Sequence, residues 1–406
     1  MLRLVQGDVG SGKTAVAAIA AISALANQHQ CAIVAPTEIL AEQHLRNFKA
    51  WLSPLGFSVT LLVGRLTAKQ KKLALETIQN GEAQVIVGTH ALFEDHVVFQ
   101  QLGLVIIDEQ HRFGVHQRLS LRDKTAENGQ AHLKPHQLVM TATPIPRTLA
   151  MSVYADLDVS VIDELPPGRS PVTTVLIKQT RRSEVIERVR AACQEGAQAY
   201  WVCTLVEDSE TLAAAAAEQS FDLLQEALPE LSIGLVHGRL KGAEKETVMT
   251  QFKAGECQLL VATTVIEVGV DVPNASLMII ENPERLGMAQ LHQLRGRVGR
   301  GSAESYCVLL YGDPLSKVAK TRLNVLRSTQ DGFAIAEEDL KIRGPGELLG
   351  TQQTGDMRFR LADLLRDAHL LPHIHSAATR IRQQNPEIVA RIIDRWFFDH
   401  IKYTKG

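Results

Sequence analysis

Eight residues near the start of the chain, Gly7-Asp8-Val9-Gly10-Ser11-Gly12-Lys13-Thr14, carry the pattern GxxxxGK[ST]. Glycines let a loop wrap a phosphate, and the N–H groups of the loop and of a following helix favour an anion. In that arrangement Lys13 reaches the β- and γ-phosphates of a nucleotide such as ATP, and the Thr14 hydroxyl holds Mg2+. A second constellation is Asp108-Glu109, which follows the apolar run LVII at 104–107. A strand that delivers two acids at its C-terminal end suits phosphoryl transfer to water. Asp108 then binds Mg2+, directly or through water, and Glu109 orients and deprotonates the attacking water. A strand ending in solvated acids is common by itself; beside Lys13 the catalytic reading is the stronger one.

A third signal is QLHQLRGRVGR at 290–300, with Arg295, Arg297 and Arg300 spaced by two and three residues. Residue types alone leave three readings open: a basic surface, a patch for nucleic acid, or an arginine finger that stabilises charge developing on a phosphate.

Such groups need a scaffold that brings distant segments together. Short β-rich runs lie at 2–5 (LRLV), 31–35 (CAIVA), 58–63 (SVTLLV), 84–88 (QVIVG), 104–107 (LVII) and 137–140 (QLVM), with helical stretches such as 12–26 and 38–51 between them. Continuous apolar strands alternating with crossover helices predict a parallel sheet covered on both faces. The segment ELPPGRSP at 164–171 reads as a linker, because Pro and Gly punctuate regular structure. The alternation restarts at 172–177, 199–205, 233–238, 258–264, 277–281 and 305–311. No sequence-level repeat joins the two halves. The expected fold class is α/β: one lobe at 1–163, a second at 172–340, and a mainly helical segment at 341–406, where Leu and Ile recur at three and four.

At 406 residues the chain is too long for one ordinary core, and 45% hydrophobic with 22% charged residues is a globular composition. No apolar run approaches about 20 residues, so no membrane span is expected. The N-terminus lacks the long apolar region of a secretory signal, which points to the cytoplasm. Cys31, Cys193, Cys203, Cys257 and Cys307 never pair at CxxC spacing and read as buried, reduced thiols. A net charge of −2, from 43 basic and 45 acidic residues, weighs mildly against a nucleic-acid partner. It does not exclude one, because a local patch needs no global excess.

The arginine-rich segment resembles the sixth motif of superfamily 2 helicases, QxxGRxGR. Gln293 opens the match, and Arg297 and Arg300 stand at the phosphate-sensing positions. Other segments match the same superfamily in order: Pro36-Thr37-Glu38, Gly88-Thr89-His90, Thr141-Ala142-Thr143, Val236-His237-Gly238-Arg239, and ATTVIEVGVD at 262–271. More specific wording resembles the RecG family of branched-DNA translocases: DEQHRFGVHQR at 108–118, TATPIPRTL at 141–149, VIDELPPGRSPV at 161–172 and IRGPGELLGTQQTG at 342–355. The transcription-repair coupling factor Mfd shares much of it. Gln110, where that family usually has Glu, and GELLGTQQTG favour RecG.

The resemblance implies two tandem RecA-like lobes with ATP and Mg2+ between them, the nucleotide also meeting Gly269 and Asp271. It implies DNA contacts at Thr37, Thr89, His90, Thr141, Thr143 and His237, and a translocation motif with polar positions at Arg322, Arg343 and Gln353. Without it, the two arginines would read as solvated charges. The implied activity is that of a monomeric motor on branched or duplex DNA, which regresses forks and migrates Holliday junctions through backbone contacts. Family members carry an N-terminal wedge and an adenine-contacting segment ahead of the motor, neither matched here. An active motor with impaired fork recognition is therefore the first expectation. A nucleic-acid-binding remnant with little turnover is the second.

Overall fold

Runs of apolar residues become strands that are buried on both faces. In the computed structural model, β1 (Leu2–Gly7), β2 (Gln30–Val34), β3 (Val59–Leu62), β4 (Val85–Gly88), β5 (Leu102–Asp108), β6 (His136–Thr141) and β7 (Asp158–Ile162) form one sheet. The structure describes residues 1–109, 134–142, 157–164, 171–204, 210–267, 272–301, 303–343, 366–367 and 370–397. Gln110, Thr143, Gly269, Asp271, Gln353 and most of the expected linker lie outside the described residues.

The sheet runs β3-β4-β2-β5-β6-β1-β7, and every pairing is parallel. Parallel neighbours need crossovers, and α1 (Lys13–Ala26), α2 (Glu38–Leu52) and α3 (Ala68–Gln79) lie between the early strands. Side chains alternate between faces along a strand. Cys31 and Ile33 of β2 accordingly join Ala17, Ala21 and Phe48 in one apolar cluster, while Ala32 and Val34 join Ala74, Ile78 and Phe99 in another. The alanines of α1 leave room for the helix to approach the sheet closely. Thr37 caps α2, its hydroxyl accepting the Leu40 N–H at 3.4 Å.

The strand β7 has no counterpart among the runs read from sequence. Its Asp-Val-Ser-Val-Ile alternates polar and apolar residues, and no position in it is fully buried. It is an edge strand, and edge strands carry a weaker apolar signal.

A second sheet comprises β8 (Val172–Lys178), β9 (Gln198–Val202), β10 (Ile233–Val236), β11 (Leu259–Ala262), β12 (Ala275–Glu281) and β13 (Ser305–Tyr311). Its order is β10-β11-β9-β12-β13-β8, again parallel throughout. The helices that accompany it are α4 (Arg182–Gln194), α5 (Glu210–Ala227), α6 (Gly242–Ala254), α7 (Met288–Arg295), α8 (Lys317–Ser328) and α9 (Gly332–Arg343). Trp201, Leu224, Leu228, Val185 and Ile279 form its core.

Met1–Ile145 and Asp156–Asp339 make one compact unit; Pro146–Ala155 and Leu340–Gly406 make a second. In the latter, α10 (Leu371–Gln384) and α11 (Pro386–Phe397) pack against each other. All five cysteines are buried free thiols. Among the described residues no helix is long and apolar enough to cross a membrane.

Because each sheet is parallel, the carboxyl ends of its strands share one edge. In open α/β sheets that edge is where ligands bind. Gly7, Gly88, Asp108 and Thr141 all stand there in the first sheet.

Candidate active site

The loop from Gly7 to Gly12 links β1 to α1, whose first residue is Lys13. A Cβ on Gly7 would meet the Ser11 Oγ at 2.5 Å and Ile162 at 3.1 Å, so the close approach requires glycine. Gly12, the residue before α1, has φ of 95°, a left-handed conformation that costs glycine nothing. The turn aims the helix N-terminus and the Lys13 side chain into the loop. Lys13 is 9% exposed, and its ammonium donates to the carbonyls of Gly7 at 2.7 Å and Asp8 at 2.8 Å. Burial lowers its pKa, against the opposing fields of Glu109, Asp108 and Asp8. The buried Ser11 hydroxyl has no hydrogen-bond partner. A buried cation, an unpartnered hydroxyl and a helix N-terminus together fit a polyphosphate.

Asp108 ends β5. Its Oδ2 lies 2.8 Å from His44 Nε2 on α2, and both side chains are nearly buried. The His44 ring meets Phe48 edge-on at 6.3 Å, which fixes its direction. Burial pushes against the Asp108 charge, but the hydrogen bond and charge of His44, with Lys13, outweigh it and hold the carboxyl below its ordinary value. An ionised, oriented carboxylate suits a hard divalent cation. Among the described residues no three His, Cys, Asp or Glu side chains converge, so Mg2+ here would draw most ligands from phosphate and water.

Glu109 has φ of 52°, left-handed and uncommon outside glycine. Such a backbone persists only when its surroundings impose it, and these conformations cluster at working sites. Burial and then the Asp108 charge raise the Glu109 carboxyl to about 7. A base with a pKa near the working pH is well matched to proton abstraction.

The second sheet contributes through α7 and the turn after it. The Arg297 charge acts on both Lys13 and Glu109, which places it at the edge of their site. Arg295 is 4% exposed and donates to the carbonyls of Leu326, Thr329 and Gln330. The Arg300 Nε donates to the Gly296 carbonyl at 3.3 Å. The three arginines thus stand in different surroundings, and the Arg297 charge is felt at both Lys13 and Glu109. Arg297→Ala is expected to slow hydrolysis by about a thousandfold while leaving nucleotide affinity within a few fold. Steady-state turnover beside a nucleotide titration checks this. Equal losses in both would mean that Arg297 holds ground-state nucleotide instead.

The remaining sequence candidates fall in different surroundings. Gln293 is 5% exposed on α7, and Thr14 lies half-buried in the first turn of α1. His90 is exposed and Thr37 half-buried, at the edge that carries the site. Thr89, Thr141 and His237 are buried, so their side chains do not reach outward, and a contact with DNA there would use neighbouring backbone. His237 instead lies 3.3 Å from Glu218. Arg322 on α8 donates to the Leu286 carbonyl, and Arg343 ends α9. Two residues near the site were not singled out from sequence: His44, and His292 of α7, whose Nε2 lies 3.0 Å from Asp8 Oδ1.

Three family models match successive parts of the chain: DEAD/DEAH box helicase at 3–152, helicase conserved C-terminal domain at 178–302, and ATP-dependent DNA helicase RecG, domain 3, C-terminal at 329–394. The chain is 62% identical over 407 residues to the ATP-dependent DNA helicase RecG of Escherichia coli K12, covering 100% of this chain and 58% of that protein. The Haemophilus influenzae RecG is 60% identical with the same coverage. The chain thus spans 58% of the length of these curated relatives. Among solved structures, RecG bound to a three-way DNA junction aligns with TM-score 0.72 and 46% identity, over 91% of this chain and 47% of that one. The Mycobacterium smegmatis helicase Lhr bound to ssDNA and AMP-PNP shares the fold at TM-score 0.60 and 21% identity, over 81% of this chain and 46% of its own.

Proposed function

Because this chain belongs to the RecG family of superfamily 2 helicases, we propose that it is an ATP-hydrolysing motor that moves along duplex DNA and acts on branched DNA in recombination and repair. The observation that carries this reading is the composite site. Lys13 and Glu109 come from one sheet and Arg297 from the connection between β12 and β13 of the other, so hydrolysis and the spacing of the sheets are tied together.

ATP lies on the loop from Gly7 to Thr14, with Lys13 against its β- and γ-phosphates. Mg2+, held by Asp108 and the Thr14 hydroxyl, offsets the phosphate charge when bound. Glu109 takes a proton from the attacking water, and Arg297 meets the charge that develops on the γ-phosphate, with Arg300 beside it. Gly269 and Asp271 contact the nucleotide from the second lobe. Opening and closing of the lobes drives stepping. Thr37, Thr89, His90, Thr141, Thr143 and His237 lie along the DNA, and Arg322, Arg343 and Gln353 transmit the movement. The motor works as a monomer in the cytoplasm.

These contacts see sugar and phosphate, which position a protein without reading sequence. Affinity should therefore fall steeply with salt. ATP turnover should rise when branched duplex DNA is added, and a chain without DNA-stimulated turnover contradicts the reading. The backbone is the same in a fork and in a linear duplex. The two affinities, measured at two salt concentrations, should accordingly agree within about tenfold, or 1.4 kcal/mol. A larger ratio would show that this portion distinguishes branches by itself.

A further inference from the structure

A loop built to receive a triphosphate gains nothing from a carboxylate, yet Asp8 stands directly after its first glycine. The pattern GxxxxGK[ST] leaves that position open, and a negative side chain there repels the ligand. The structure gives the carboxylate another task. Its Oδ1 lies 3.0 Å from His292 Nε2, between groups that are 284 residues apart and on different lobes. Both side chains are largely enclosed, at 20% and 7% exposure.

The direction of this bond is fixed from behind. Arg295 Nη2 lies 2.9 Å from His292 Nδ1. A guanidinium has donors and no acceptor, so Nδ1 accepts and the imidazole proton resides on Nε2, aimed at Asp8. Arg295 is itself held by three carbonyls at the end of α8 and just beyond it. A second contact adjoins the first: a Cβ on Gly296 would meet Val9 at 3.1 and 3.2 Å, so the turn after α7 packs onto the phosphate loop as closely as glycine permits. Arg297 is the next residue.

We propose that Asp8 and His292 form a latch between the two lobes that seats Arg297 at the nucleotide site, making both positioning residues for hydrolysis. Donation from His292 also draws the Asp8 charge away from the phosphates. A loop and a finger that must meet are thereby joined through a contact between the lobes. The kinetic part of this inference rests on the site being an ATPase; the structural part does not.

The test has two arms on the intact chain. In the first, amide hydrogen exchange is followed without nucleotide. His292→Ala should speed exchange at residues 8–14, on the opposite lobe, and Asp8→Ala should do the same at 288–297. Unchanged exchange in both overturns the latch, whether or not the chain hydrolyses ATP. If His292→Ala does not fold, the Asp8→Ala half decides. In the second arm, each single substitution should lower kcat about tenfold with nucleotide affinity within about twofold. The double variant should lose the same tenfold, not a hundredfold, because the two groups act through one contact. Asp8→Asn, which still accepts a hydrogen bond, should recover most of the Asp8→Ala loss. Multiplicative losses, or no recovery by Asn, overturn the assignment. A parent chain with no turnover refutes the proposed function, while the exchange arm still judges the latch.

Discussion

Lys13→Ala is expected to abolish ATP hydrolysis while the protein stays folded. The ammonium is enclosed by the loop and, among the described residues, donates to the Gly7 and Asp8 carbonyls. Those are bonds within a ligand-binding loop, whereas the core that holds β1 and α1 is made by Val5, Ala17, Ala21 and Leu25. Removing the side chain therefore removes charge from the site and little from the packing. Losing one preorganised donor to a developing oxyanion costs about a hundred- to a thousandfold. Here the same group also holds the ground-state phosphates, so the combined loss should exceed a thousandfold. The measurement is steady-state phosphate release, with circular dichroism to show that the fold persists. Turnover within twofold of the parent would remove Lys13 from the site.

Glu109→Gln should stop hydrolysis and spare nucleotide binding. The amide keeps the shape and one acceptor but cannot take a proton from water. Binding should even tighten slightly, because a negative charge near the phosphates is gone. The parent also has a direction with pH. Burial and the neighbouring Asp108 raise the Glu109 carboxyl to about 7. The ionised form is the base, so it predominates above that value and is lost below it. Turnover should rise from pH 6 to pH 8, and the residual rate of Glu109→Gln should lack that step. A nucleotide titration beside single-turnover hydrolysis separates the outcomes. Loss of both in parallel would show that Glu109 holds the site together.

The phosphate loop was legible in the sequence because its chemistry is local: Gly7 to Thr14 are consecutive, and strand and helix flank them directly. Asp108-Glu109 were legible for the same reason, at the end of an apolar run. His44 was not, since it meets Asp108 across 64 residues and sits in a helix whose other residues explain its pattern. His292 stands one residue before the match to the sixth motif, and its partner is fixed only by how the lobes meet. The DNA candidates divide similarly. Position in a motif singled out Thr89, Thr141 and His237, whereas their burial follows from how the strands and helices pack around them. The strand β7 escaped notice because alternation and exposure dilute an edge. Both sheets were otherwise expected from continuous apolar runs, which a strand covered on two faces must have.

The strand order of the first sheet carries a consequence for synthesis. A ribosome releases Leu2–Gly7 well before the strands that flank it on both sides, which begin at His136 and Asp158. In the other half, β8 pairs among the described residues only with β13, which starts at Ser305. Neither sheet can be completed in the order in which it is translated, and apolar strands must wait unpaired as the polypeptide lengthens. The helix α1 can form at once, but the strand that anchors its loop has no neighbour until β6 emerges. A nascent chain stalled before His136 therefore holds the whole phosphate-binding sequence and the strands β3-β4-β2-β5, but neither of the strands that join β1 to them.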